Sequence, residues 1–214
     1  MTTLTTSVIR AGAPIGAARA AIVLVHGRGA SAESMLGLAK AFTAPGIAHI
    51  APQAPSGSWY PYSFMAPTML NEPHLGNALS TLAHVVDDVE QQGMPAERIV
   101  LLGFSQGACL TLEFAVRNAR RYGGVVGLSG GLIGPEGTTW NYPGTLAGTP
   151  VFLGCSDVDS HIPLARVHES TVVLRGLGGD VSEIIYPGMG HMIVQDEIDH
   201  VEKILRGIGA PAER

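Results

Sequence analysis

Two serines in this chain stand in the pattern Gly-x-Ser-x-Gly, at Gly103-Phe104-Ser105-Gln106-Gly107 and at Gly127-Leu128-Ser129-Gly130-Gly131. A serine hydroxyl is a poor nucleophile at neutral pH, so it needs an adjacent base, and the base needs a third group to fix its tautomer. The pattern supplies a nucleophile only where the serine tops a strained strand-to-helix turn, with glycines keeping side chains clear. Ser105 follows the apolar run Ile99-Val100-Leu101-Leu102 and precedes a good helix former over 108–119, with Leu110 and Phe114 on one face. Ser129 follows Val125-Val126, but after it comes Gly131-Leu132-Ile133-Gly134-Pro135, which cannot open a regular helix. Ser105 is therefore the predicted nucleophile, and Ser129 the end of a core strand.

On an elbow of this kind the partners follow the nucleophile in the order acid, then histidine, each at the end of a later strand. The strand around Pro150 to Leu153 runs into Cys155-Ser156-Asp157-Val158-Asp159-Ser160-His161-Ile162-Pro163. Of its two aspartates, Asp159 is the predicted orienting acid, and Asp157 is expected to make local turn hydrogen bonds. The strand around Glu183 to Tyr186 runs into Pro187-Gly188-Met189-Gly190-His191, which delivers His191 as the predicted base to the carboxyl edge of the sheet. His26 precedes the serine and fails the order test. His161 is too close to Asp159 in sequence to be its partner, and the other histidines have no companion motif. Acyl transfer also needs donors aimed at the developing oxyanion. The amide of Gln106, next after the nucleophile, and that of Arg28, in the turn His26-Gly27-Arg28-Gly29, are the predicted pair, with the Arg28 side chain expected to point to solvent.

Elements that could hold these residues follow from periodicity. Short β-branched runs alternate with amphipathic stretches, the signature of βαβ units. Strands are predicted at about 20–26, 47–51, 98–104, 123–129, 149–155 and 182–187, and helices over 31–42 with Ser31 as cap, 75–89 and 163–177, with a further one beginning near Val194. The segment 51–73 reads as the one irregular stretch. It holds Pro52, Pro55, Pro61, Pro67 and Pro73 and four of the twelve aromatic residues, Trp59, Tyr60, Tyr62 and Phe64. Long loops in compact domains usually serve function, so this one is expected to be a semi-rigid substrate wall, with Trp59 and Phe64 touching the substrate.

Composition agrees with a covered sheet. Of 214 residues, 46% are hydrophobic and only 14% charged, which fits a single domain, 1–214, with much of the chain in buried strands. A net charge of −5, with Lys40 and Lys203 the only lysines, offers no basic stripe for nucleic acid. The first long apolar run, 20–25, is far too short to span a membrane, and neither a secretory signal nor membrane insertion is expected. Cys109 and Cys155 lie in apolar runs and read as free buried thiols, so a cytoplasmic location is expected. Neither HExxH, nor paired Cys-x-x-Cys, nor a P-loop occurs, and no cofactor or metal is inferred. Nothing in the sequence decides between monomer and homodimer.

The set His26-Gly27-Arg28-Gly29, Gly103-Phe104-Ser105-Gln106-Gly107, Asp159-Ser160-His161-Ile162-Pro163 and Gly190-His191 resembles the phospholipase/carboxylesterase family, relatives of acyl-protein thioesterases and family VI bacterial esterases. The resemblance runs from about residue 20 onward. It implies an α/β-hydrolase fold in a minimal form: a mainly parallel sheet, helices on both faces, no cap domain. It also implies triad roles for Ser105, Asp159 and His191 and oxyanion roles for the amides of Arg28 and Gln106. The expected activity is hydrolysis of small carboxylic esters of short to medium chain through an acyl-enzyme. A thioesterase or lysophospholipase with the same triad is the alternative. Dienelactone hydrolases share the fold but carry cysteine at the elbow, and a binding protein on this scaffold would be expected to lose part of the triad.

Overall fold

The computed structural model describes residues 7–209. Seven strands form one sheet: β1 (Val8–Gly12), β2 (Ala20–Val25), β3 (Ile47–Pro52), β4 (Ile99–Phe104), β5 (Gly124–Leu128), β6 (Pro150–Ser156) and β7 (Asp180–Tyr186). Their order is β1-β3-β2-β4-β5-β6-β7. All neighbours pair parallel except β1, which runs antiparallel on β3. Every residue of β2 and β5 is buried, as a strand covered on both faces requires.

Five α-helices cover the sheet: α1 (Ala32–Ala39), α2 (His74–Gln91), α3 (Gln106–Arg117), α4 (Leu164–Gly176) and α5 (Gln195–Gly207). Two apolar layers result. Leu75, Leu82 and Val86 of α2, Leu110 and Phe114 of α3, and Val167 and Leu174 of α4 pack with Val23, Leu101, Val125 and Leu153 on one face. Met35 and Ala39 of α1 and Val201 and Leu205 of α5 meet Ile22, Leu102, Val126 and Phe152 on the other. This is the α/β-hydrolase arrangement that the sequence implied.

The six predicted strands are present within two residues at each end, and Ser31 caps α1 through a reciprocal bond with Ser34. Strand β1 was not predicted. It is five residues long, partly exposed and at the sheet edge, so the sequence VIRAG carries no alternating apolar pattern. A second irregular stretch, 129–149, also escaped prediction. It lies between β5 and β6, its glycines and prolines form no regular element, and it is tied down from beneath by side chains of the helices. The Arg166 guanidinium, buried on α4, donates to the carbonyls of Leu132, Gly134 and Pro135, while the Glu113 carboxylate on α3 accepts from the Ile133 amide. Buried backbone in a coil must find such partners, and these two charged side chains supply them.

Candidate active site

Ser105 stands between β4 and α3 with φ 56° and ψ −121°, a left-handed conformation rare outside glycine. Its neighbours explain how the turn is tolerated. A Cβ at Gly103 would overlap the Gly107 carbonyl, and one at Gly107 would overlap the carbonyls of Val25 and His26, so both glycines of the motif are sterically required. The Ser105 amide still donates to Leu128 O at 2.9 Å, and its carbonyl accepts from Cys109 N at 3.0 Å, which fixes the turn from both sides. Ser129 also has a positive φ, 51°, but its hydroxyl is buried beside the Cys155 thiol, away from any histidine base. Side chains at Gly130 and Gly131 would run into Ala108 and Arg166, so the second motif is a close-packing device under α3 and α4.

The structure brings Ser105, His191 and Asp159 together. His191 Nδ1 lies 2.7 Å from Asp159 Oδ2 and Nε2 lies 2.9 Å from Ser105 Oγ. A carboxylate only accepts, so Nδ1 carries the proton and Nε2 is left to accept from the serine. Asp159 is saturated with donors: Oδ1 accepts from the amides of His161, at 2.8 Å, and Ile162, at 3.1 Å, and Oδ2 also faces the Cys155 thiol at 3.9 Å. Burial pushes the Asp159 carboxyl up, but the His191 bond and the two amides outweigh it and hold it below the usual carboxylate range. The Cys155 thiol is pushed up to about 12 by burial and the neighbouring carboxylate, so it stays a donor. The His191 ring packs between Phe104, 5.1 Å away, and the edge of His161, 4.7 Å away.

Asp157 was expected to make local turn hydrogen bonds, but those are made by Ser156 Oγ, which accepts from Val158 N, and by Asp159, while Asp157 reaches across to the histidine loop. Its Oδ1 accepts from Gly188 N at 2.8 Å, and Ser156 Oγ accepts from Gly190 N at 3.0 Å, so the end of β6 staples down the loop that carries His191.

The amides of Gly29 and Ala30 are bonded to Gly57 O and Gly27 O, whereas that of Arg28 has no carbonyl partner among the described residues. Gln106 opens α3, where the first amides lack intrahelical acceptors. Neither amide has a backbone acceptor among the described residues. Their side chains have a role that sequence reasoning missed. The Arg28 residue is exposed, as the sequence suggested, but its guanidinium also donates to Ser58 Oγ at 3.1 Å and to the carbonyls of Pro61 and Tyr62, both at 2.8 Å. The Gln106 side chain accepts from Trp59 N through Oε1 at 3.0 Å and donates to Tyr60 O through Nε2 at 2.8 Å. The 58–62 loop is therefore clamped by the side chains of Arg28 and Gln106, two residues that line the space around Ser105.

A cavity of about 610 Å³ opens over Ser105, lined among others by Arg28, Tyr60, Phe64, Cys109, His161 and His191. Phe64 is on its wall as expected. Trp59 is not: its side chain is buried, its Nε1 donates to His26 O at 2.8 Å, and its ring packs against that of His26. Trp59 secures the loop to the end of β2 and makes no cavity contact. His26 is structural too. Its Nε2 accepts from Ala54 N, and burial lowers its pKa, which keeps it neutral. Among the described residues no group of three or more His, Cys, Asp or Glu is placed to hold a metal ion, and no helix is long and apolar enough to cross a membrane.

A family model described as Phospholipase/Carboxylesterase matches residues 7–208. The chain belongs to the phospholipase/carboxylesterase family. Within it, a solved phospholipase/carboxylesterase from Dyadobacter fermentans shares 47% identity over 96% of this chain and 99% of that one, with a TM-score of 0.91. The solved esterase PE8 shares 27% identity over 96% of this chain and all of that one, with a TM-score of 0.79. Acyl-protein thioesterase 1 of Gibberella zeae is 40% identical over 116 residues, which cover 53% of this chain. The match spans about half the length of that relative, 49%. As a phospholipase/carboxylesterase family member the chain shares with these proteins the fold on which the Ser105, His191 and Asp159 constellation is built.

Proposed function

We propose that this protein is a serine carboxylesterase that hydrolyses carboxylic esters of short to medium chain length, with Ser105 as nucleophile, His191 as general base and Asp159 as orienting acid. The reading rests on the unbroken relay from Asp159 Oδ2 through His191 to Ser105 Oγ, with contacts of 2.7 and 2.9 Å. Ser105 Oγ attacks the ester carbonyl carbon while His191 Nε2 takes its proton. The carbonyl oxygen becomes an oxyanion facing the amides of Arg28 and Gln106. On collapse His191 passes the proton to the departing alcohol oxygen, leaving an acyl-enzyme. Water then attacks, giving its proton to His191, which returns it to Ser105 as the acid leaves.

Phe64 and the clamped loop 58–62 support a bounded pocket. Each methylene buried before the wall adds up to ~0.8 kcal/mol of binding, and longer chains must hang in water. Rates are expected to rise and then fall along an acyl series, with no jump where the ester passes its solubility limit. The two free buried cysteines support a cytoplasmic setting.

The deciding experiment is fluorophosphonate labelling of wild type, Ser105→Ala and Ser129→Ala, followed by turnover of matched oxygen and sulfur esters. Labelling is expected to vanish only in Ser105→Ala, with activity lower by ~10⁴-fold or more. Labelling that survives in Ser105→Ala overturns the assignment. A strong preference for the sulfur ester would favour the thioesterase reading, which the name of the Gibberella zeae relative supports.

A further inference from the structure

We propose that the cavity above Ser105 selects esters bearing an anionic group, a carboxylate near the scissile bond, through the Arg28 guanidinium and the His161 imidazole. The inference rests on the esterase reading and goes on to the substrate class. The protein carries a net charge of −5, yet no carboxylate lines this cavity, while a guanidinium and two imidazoles do. Asp159, the acid of the relay, has a side chain with no exposed surface and is bonded to His191. Among the residues that line the cavity, Arg28 alone carries a fixed charge, opposite in sign to that of the whole molecule, and a cleft with low-dielectric walls focuses the field of such a group.

The charge on Arg28 is uncompensated. Arg10, Arg117, Arg120, Arg166 and Arg206 each meet a carboxylate. Arg28, like Arg19, Arg121 and Arg175, meets no carboxylate among the described residues, but it is the one of these that lines the cavity: it gives its three hydrogen bonds to a hydroxyl and two carbonyls, which orient the guanidinium without cancelling its charge. A guanidinium has five N–H groups, so two remain to meet a ligand. The fork is thereby held in place at the cavity before any substrate arrives, and little side-chain entropy is left to lose on binding.

His161 adds a second point of contact. It is exposed on the cavity wall, with its ring edge-on to His191 and neither ring nitrogen bonded to protein among the described residues. An imidazole in either protonation state offers at least one N–H, so His161 can donate to an anionic oxygen without having to be charged. Its place beside the base puts that donor next to the reacting carbonyl.

The test compares kcat/KM for two pairs of esters of matched shape at low ionic strength. The first is 4-acetoxybenzoate against 4-isopropylphenyl acetate, which puts the charge on the alcohol part. The second is monoethyl succinate against ethyl 4-methylpentanoate, which puts it on the acid part. In at least one pair the anionic ester is expected to be favoured about fivefold or more, chiefly through KM, with the preference shrinking at about 0.5 M salt. The pair that shows it identifies the side on which the anion binds. Arg28→Gln, which keeps donors for the loop carbonyls but removes the charge, is expected to abolish the preference. His161→Glu is expected to reverse it, an outcome that loosened packing would not produce. Neutral esters turned over as well as or better than the anionic ones in both pairs would overturn the selectivity while leaving the esterase reading intact. No turnover of any of the four would overturn both. Ratios unchanged in both Arg28→Gln and His161→Glu would overturn the assignment of these residues.

Discussion

Asp157 and Asp159 are two residues apart, and the structure separates their tasks. Asp159 meets His191 directly, and its other oxygen is held by two amides, so its position and its charge are both fixed. Asp157 touches only the amide of Gly188, at the base of the histidine loop. Replacing Asp159 with asparagine lets the side chain present an N–H to Nδ1, which favours the wrong tautomer, and a loss near ~10⁴-fold in kcat is expected. Asp157→Asn keeps an acceptor for Gly188 and is expected to cost less than about tenfold. Side-by-side kinetics on proteins with matching circular dichroism decide it, and a larger loss in Asp157→Asn would reverse the roles. The order serine, aspartate, histidine made this constellation legible in the sequence, because each residue follows a strand and a glycine or turn signal. The side-chain work of Arg28 and Gln106, and the withdrawal of Trp59 from the cavity, were not legible. Each depends on where the 51–73 loop folds back against the sheet, and no local pattern encodes that.

At the scale of elements, the elbow between β4 and α3 depends on two glycines, whereas Gly37 on α1 does nothing comparable. Gly107 is packed against the carbonyls of Val25 and His26, backbone atoms that cannot swing aside. Gly37, on α1, is exposed with open space around its missing side chain and no positive φ. Gly107→Ala is therefore expected to lower the unfolding free energy by ~2 kcal/mol or more and to displace Ser105. Gly37→Ala is expected to raise it by ~0.5–1 kcal/mol, since alanine is the better helix former. Urea titration of the two variants checks both signs, and equal effects would show that the elbow is looser than its packing implies. Buried strands and capped helices announced themselves through runs such as AAIVLV and the Ser31 cap. The edge strand β1 and the coil 129–149 did not. One is too short and exposed to show a period, and the other is held by Arg166 and Glu113, which come from distant parts of the chain.

For the whole molecule, two carboxyls tie stability to pH at opposite ends of the scale. Asp159 is held below the usual range, so the folded state releases its proton more readily than the unfolded one, and the stability it contributes is lost as the pH falls through its folded pKa. Glu197, the third residue of α5, is the reverse case. It has no exposed surface, its Oε2 accepts from the Val194 amide, and its Oε1 is buried without a partner over the backbone of Gly154. Burial pushes its pKa up to about 7, with the neighbouring Asp196 adding to the rise against the pull of the Val194 amide. Between an ordinary carboxyl value near ~4.5 and about 7 the folded state therefore holds a proton that the unfolded state has released. The stability that Glu197 contributes must fall as the pH rises through that window, by up to ~3 kcal/mol, and then level off. Glutamine keeps the acceptor for Val194 and removes the ionisation. Glu197→Gln is thus expected to match the wild type within about 1 kcal/mol at pH 5 and to exceed it by ~2–3 kcal/mol at pH 8. Urea unfolding of both proteins at the two pH values measures the difference directly. A gap between variant and wild type that does not widen from pH 5 to pH 8 would mean that Glu197 ionises without penalty, and that the strain of its buried oxygen is relieved by a neighbour.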